Sequence, residues 1–196
     1  MLRNIRYRFR TWRVVLWTGT LLLSLTALPG CMHRIEVHPL PSQQASTPIP
    51  RSLHVALSGL TIQGADHMPG IALLEWPSRD LSQAVLHYIR QRGTFASVTD
   101  APTDLIMKLT ARLSMVSRGP YVYSIQLQAD LGTATGSIKT YQVEQSAMGS
   151  SVRWTTASDR DPIEAALQLA LEDLLTSIES DRSLYGVKEP ARGSKP

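Results

Sequence analysis

Few residues of this 196-residue chain have types and spacings that suit chemistry: one cysteine, Cys31, five histidines at 33, 38, 54, 67 and 87, and the aspartates Asp159 and Asp161. A lone cysteine can be a nucleophile, a metal ligand, a core residue or an attachment point, and each role needs different neighbours. A disulfide needs a second cysteine, and a zinc site needs three or four convergent ligands. A reactive thiol needs a base and surroundings that lower its pKa, whereas Cys31 closes an apolar run, "VVLWTGTLLLSLTALPGC". The histidines show no H-E-x-x-H or comparable ligand spacing. His54 alternates outward from Leu53 and Val55, and His87 lies off the apolar stripe of its helix, so both read as solvated side chains. Asp159 and Asp161 could pair as an acid and a base, but they bracket a helix start, where carboxylates cap free amides and gain from the dipole. Capping is the favoured reading. There is no G-x-S-x-G elbow and no phosphate loop, since Gly132 and Gly136 are not followed by Lys-Ser/Thr. No catalytic, cofactor-binding or metal-ligating residue emerges, and the chain is expected to be no enzyme.

The surroundings of Cys31 say more. Arginines stand at 3, 6, 8, 10 and 13 with no acid among them, and the 15 residues 14–28 carry no charge. A basic start, a short apolar stretch and a small residue form the layout of a secretory signal peptide, too short for a comfortable membrane span. The last four residues, Leu28-Pro29-Gly30-Cys31, resemble the lipobox of bacterial lipoproteins. The resemblance implies that the Cys31 thiol takes a diacylglycerol, that the leader 1–30 is cut off before it, and that the new amino terminus is acylated. Each buried CH₂ contributes about 0.8 kcal/mol, so two or three chains hold a protein on a bilayer almost permanently. By the same resemblance, Met32 in place of an aspartate favours the outer membrane.

Charge excludes one partner class. All 16 acids but only 15 of the 20 Lys and Arg follow residue 30, so the mature chain has a net charge of −1 and the basicity belongs to the leader. Nucleic-acid binding on overall charge is therefore not expected. The 166 residues from Cys31 onward suit one domain that must be stable without disulfides. Residues 31–51, with prolines at 39, 41, 48 and 50 among Ser, Thr and Gln, read as the lipidated residue followed by an extended tether. It would reach up to about 50 Å and hold a periplasmic domain, 52–180, clear of its membrane, with a mobile tail over 181–196.

Alternation predicts strands over 52–58, 104–115, 121–131 and 137–147, with shorter ones at 71–76 and 151–157. "SRDLSQAVLHYIRQRG" predicts a helix opened by Pro77-Ser78, striped by Leu81, Val85, Tyr88 and Ile89, with Arg90 and Arg92 in its last turn, and stopped by Gly93. "DPIEAALQLALEDLLTSIES" predicts a second, with Asp161 as cap, Pro162 at its first position, Glu164 completing a capping box, and Ile163, Leu167, Leu171, Leu174 and Ile178 on one side. Short connections imply antiparallel neighbours. The fold class expected is α+β: a two-layer sandwich with an antiparallel sheet of about four strands and two helices packed on one face. Trp76, Tyr88, Tyr121, Tyr123 and Trp154 could line a groove for a lipid, although such residues are more often core packing.

The stretches "LSQAVLHYIRQRGTFASV", "DLIMKLTARL" and "IEAALQLALEDLLTSI" resemble, across roughly 52–180, the auxiliary lipoproteins of ABC-type transporters and the lipopolysaccharide-assembly lipoproteins. That resemblance implies a non-enzymatic accessory role in an envelope transport or assembly machine, with two partners: the membrane, through acyl chains on Cys31, and an envelope protein complex. The alternatives are a carrier of a lipid or other apolar ligand and an activator of a cell-wall synthase.

Overall fold

The structure is a computed structural model that describes residues 32–64, 73–101, 103–117 and 119–186. Cys31 and the leader lie outside the described residues, as do His67 and 187–196 of the expected tail. In chain order the elements are β1 (Met32–Arg34), β2 (Ile49–Gln63), β3 (Leu73–Glu75), α1 (Ser78–Arg92), β4 (Phe95–Thr99), β5 (Leu105–Ser117), β6 (Tyr121–Thr133), β7 (Gly136–Met148), α2 (Thr156–Ser180) and a 3₁₀ turn (Arg182–Tyr185).

Alternation builds the sheet as expected where it is strongest. Leu105, Met107, Leu109, Ala111 and Leu113 of β5 and Tyr121, Tyr123, Ile125, Leu127, Ala129 and Leu131 of β6 are all buried, while Lys108, Thr110 and Arg112 face outward. The helices cover the apolar face. α1 buries Leu81, Val85, Tyr88 and Ile89 and ends at Gly93, whose φ of 71° suits glycine and whose N–H reaches Ile89 O at 3.2 Å. α2 buries Ile163, Leu167, Leu171, Leu174 and Ile178, together with Ala166, Ala170 and Leu175.

The sheet itself differs from expectation. It has five strands in the order β4-β2-β5-β6-β7 and is mixed: β5, β6 and β7 form an antiparallel meander, but β2 runs parallel to both β4 and β5. β1 and β3 make a separate parallel pair. The reason is the crossover: α1 carries the chain back along the sheet between β2 and β4, which leaves those strands parallel. The five residues of β4 are too few to display an alternation. Residues 151–155 form no strand, because Arg153 turns inward to a buried carboxylate while Val152 and Trp154 stay exposed.

α2 begins at Thr156, so Asp159 and Asp161 lie inside the helix and cap nothing, and Pro162 interrupts its ladder from within. Glu164 does not close a capping box but accepts the His38 backbone N–H at 2.8 Å.

The supposed tether is laid on the domain. His33, Ile35, Val37 and Pro39 are buried in strict alternation with exposed Met32, Arg34, Glu36, His38 and Leu40. Some backbone donors of this stretch find partners on the domain: Ile35 N–H on Glu75 O, Ala45 N–H on Arg92 O and Ile49 N–H on Thr94 O, each at 2.8 Å. Prolines remove donors, and a chain with fewer donors needs fewer partners to lie against a surface. At the other end, the 3₁₀ turn buries Tyr185, whose hydroxyl meets that of Tyr141 at 2.6 Å.

The β6–β7 hairpin supplies a stability test. A Cβ on Gly132 would lie 2.6 Å from the Gly136 carbonyl oxygen, whereas one on Gly136 would meet nothing within 4 Å. Gly132→Ala should cost about 1–3 kcal/mol by overpacking against backbone, and Gly136→Ala should leave the thermal midpoint nearly unchanged or slightly raised. Paired thermal melts check both.

Candidate functional site

The one fully buried carboxylate of the described core, Asp159, lies in the first turn of α2. Three segments bring donors to it, two of them remote in sequence. Arg153, in the loop before the helix, makes a two-pronged contact, Nε to Oδ1 at 2.7 Å and Nη2 to Oδ2 at 2.9 Å. From β6 the Tyr123 hydroxyl donates to Oδ1. From β1, Nδ1 of His33 meets Oδ2 at 2.6 Å. The Arg153 guanidinium also lies 5.8 Å from the centroid of the Tyr121 ring.

Local sequence explains the assembly. Alternation on β6 points Tyr121 and Tyr123 at the helix layer. Gly149 lets the departing chain cross the Tyr123 ring, because a Cβ there would stand 2.7 Å from its Cε2. Alternation over 33–39 turns the His33 ring inward. Burial alone pushes the Asp159 carboxyl up, but hydrogen bonds from Arg153, Tyr123 and His33 and the Arg153 charge outweigh it and hold the group below the usual carboxylate range. Burial and the bond to Asp159 push the Tyr123 phenol well above its usual range. The carboxylate is ionised and saturated with donors. Such an arrangement is a clasp: it spends its lone pairs on joining β1, β6, the 149–155 loop and α2.

A second ionic centre fastens α1 to α2. Arg92, 3% exposed, donates to Glu172, to Thr176 Oγ1 at 3.1 Å and to Glu179 at 3.0 and 3.3 Å. Tyr88 donates to Glu172 at 2.5 Å and Thr94 to Glu179 at 2.7 Å. Arg92 does sit in the last turn of α1, but inward rather than as a solvated charge on the dipole.

The other sequence candidates do not converge. Asp161 is exposed and pairs with Arg160. His38 and His87 are exposed, and His54 reaches only Thr99 O, at 3.3 Å. Among the described residues no group of three or more His, Cys, Asp or Glu is placed to hold a metal ion. Trp76, Tyr88, Tyr121 and Tyr123 are core residues and line no common groove with Trp154, which is 82% exposed. His33, Tyr123 and Arg153 escaped the sequence analysis as a group. The period-2 pattern of His33, Ile35 and Val37 was the one legible signal.

No protein-family model matches this chain, and no curated protein matches it. The fold is nevertheless represented among solved structures. The Xanthomonas campestris protein XCC0632, of the DUF330 family, shares it with a TM-score of 0.55 and 16% identity, over 78% of this chain and 98% of that one. A Chlamydia trachomatis hypothetical protein, CT253, reaches 0.45 at 9% identity over 67% of this chain and 98% of that one. A minor lipoprotein from Acinetobacter baumannii reaches 0.37 at 11% identity over 67% and 91%. The first likeness establishes the fold and no activity; the other two are too loose to bear on either.

Removing one partner of a buried ion pair leaves the other uncompensated, so Arg153→Met should cost about 3–5 kcal/mol, against less than about 1 kcal/mol for exposed Arg160→Ala. Urea unfolding at neutral pH checks the contrast. Hydrogen bonds from Tyr88 and Arg92 likewise overcome burial to hold Glu172 low. With folded values depressed, the stability that Asp159 and Glu172 contribute is complete above the unfolded carboxylate pKa of about 4 and is lost as pH falls through the folded values. The urea midpoint should therefore drop on the acid side with proton uptake, and Asp159→Asn should show a shallower drop.

Proposed function

We infer that this protein is a bacterial envelope lipoprotein, acylated on Cys31, that serves without enzymatic activity as an accessory or adaptor of an envelope transport or assembly machine. One observation supports the reading: the compact unit that holds the described residues begins at Met32, directly after the cysteine of the lipobox-like stretch. A leader that ended inside the fold, or well before it, would not give that match. The shared DUF330 fold supports a small α+β domain of this type. No helix of the described residues is long and apolar enough to cross a membrane. The Asp159 clasp supplies what an adaptor needs, a rigid body whose orientation is set close to its anchor. The membrane is read as the outer one, on Met32 in place of an aspartate.

Metabolic labelling with palmitate tests the anchor. The wild-type protein should take up label and fractionate with membranes; Cys31→Ser should do neither while keeping the same melting temperature. A labelled Cys31→Ser protein would overturn the assignment. Purification from detergent-solubilised membranes tests the role. A stoichiometric transporter or outer-membrane protein should co-purify. Lipid bound within the isolated soluble domain would point instead to a carrier, and a co-purifying peptidoglycan synthase to a synthase activator.

A further inference from the structure

Resting on the reading that Cys31 is acylated, we propose that the end of the domain bearing Met32, Leu73, Val116, Met148, Val152 and Trp154 is a bilayer-docking surface, seated at the headgroup–acyl boundary of the anchoring membrane. These are six of the ten large apolar side chains exposed among the described residues. Register and hydrogen bonds gather them at one end. Met32 pairs with Leu73. Val116 pairs with Val122, and Val122 with Met148. Gly149 N–H and Tyr121 O, at 2.8 Å, continue the contact into the loop where Val152 and Trp154 flank Arg153. Arg153 and His33 meet on the same Asp159 carboxylate, which joins that loop to the residue after Met32.

What selects a lipid surface as occupant is covalent geometry. Met32 is in the first strand of the domain, and the α-carbon of Cys31 is one trans peptide, about 3.8 Å, from that of Met32. With its acyl chains in the bilayer, Cys31 leaves no slack to hold this end away from the membrane. The side chains that must then meet the boundary are the kind that stay there: Trp154 is 82% exposed, Met148 72% and Met32 58%. Tryptophan, with an apolar ring and one N–H, partitions to bilayer interfaces. Among the described residues, two exposed arginines near this end are paired within the protein, Arg34 with Asp80 at 3.3 Å and Arg160 with Asp161 at 2.8 Å. The surface therefore takes neutral lipid by apolar insertion and does not depend on anionic headgroups.

After leader removal the protein holds two tryptophans, Trp76 in the core and Trp154 at this end, so Trp154 can be followed by fluorescence. Mature acylated protein, beginning at Cys31, is reconstituted into phosphatidylcholine vesicles with and without brominated acyl chains, and emission is compared with that of a Trp154→Phe variant similarly prepared. The expected result is a blue-shifted Trp154 component, quenched about twofold or more by brominated tails and shielded about threefold from aqueous acrylamide, unchanged by salt. A labelled, vesicle-bound protein whose Trp154 stays red-shifted and open to acrylamide would overturn the docking surface and leave the acylation intact. Shielding from acrylamide without quenching by brominated tails would mean that a second copy of the chain covers Trp154, and would likewise overturn it. A protein that neither takes palmitate nor binds vesicles would remove the acylation reading, and the docking surface with it.

Discussion

A carboxylate shut away from water has to be met by donors on every side, and at Asp159 those donors come from parts of the chain with no local reason to meet. His33 is 126 residues away and Tyr123 is 36. Much of the tertiary arrangement follows from that demand. The amino-terminal strand lies across the helix layer so that an imidazole can reach the site. The loop after β7 gives up strand pairing so that a guanidinium can. α2 starts a turn and a half before its best capping residue, so that the aspartate sits inside rather than ahead of it. Apolar burial supplies the bulk of the driving force, but it is non-directional and would tolerate α2 in several rotations. The charges would not. Arg92 makes the same demand on Glu172 and Glu179, so the long helix is pinned near both ends by ionic contacts and filled between them by leucine and isoleucine.

How much of this was legible depended on whether a residue obeyed a period. β5, β6 and β7 announced themselves because thirteen-residue alternations have few competing readings. The stripe of α1 and its terminating Gly93 did so for the same reason. Parallel pairing left no such mark, since β2 alternates whether its neighbours run with or against it, and only the crossover through α1 decides. Composition misled at 31–51. Four prolines suggested a loose tether, yet the same stretch alternates His33, Ile35, Val37 and Pro39 inward. The pattern was present, and proline content outweighed it. The clasp was least visible, because a buried ion pair is defined by distance in space, and Arg153 in a polar loop looks like any surface arginine.

These features bear on how an anchored domain works. A long flexible tether lets a domain search a volume, whereas under the proposed acylation of Cys31 a strand fastened beside the anchor would give it one height and one tilt over the membrane. In that proposed geometry the polar outer face of the sheet, with Lys108, Thr110 and Arg112, would stand as a fixed wall, and any protein that met it would do so in a set orientation. The entropy of ordering is met within the fold, not on each encounter.

The separation between His33 and Asp159 also has a consequence in time. A chain made from its amino end at about 5–20 residues per second delivers the aspartate roughly 6–25 seconds after the histidine. Until then β1 has no clasp to close on. On the proposed cleavage before Cys31, β1 would thus close only once the last helix has arrived, so the order of synthesis itself would separate maturation from completion of the fold.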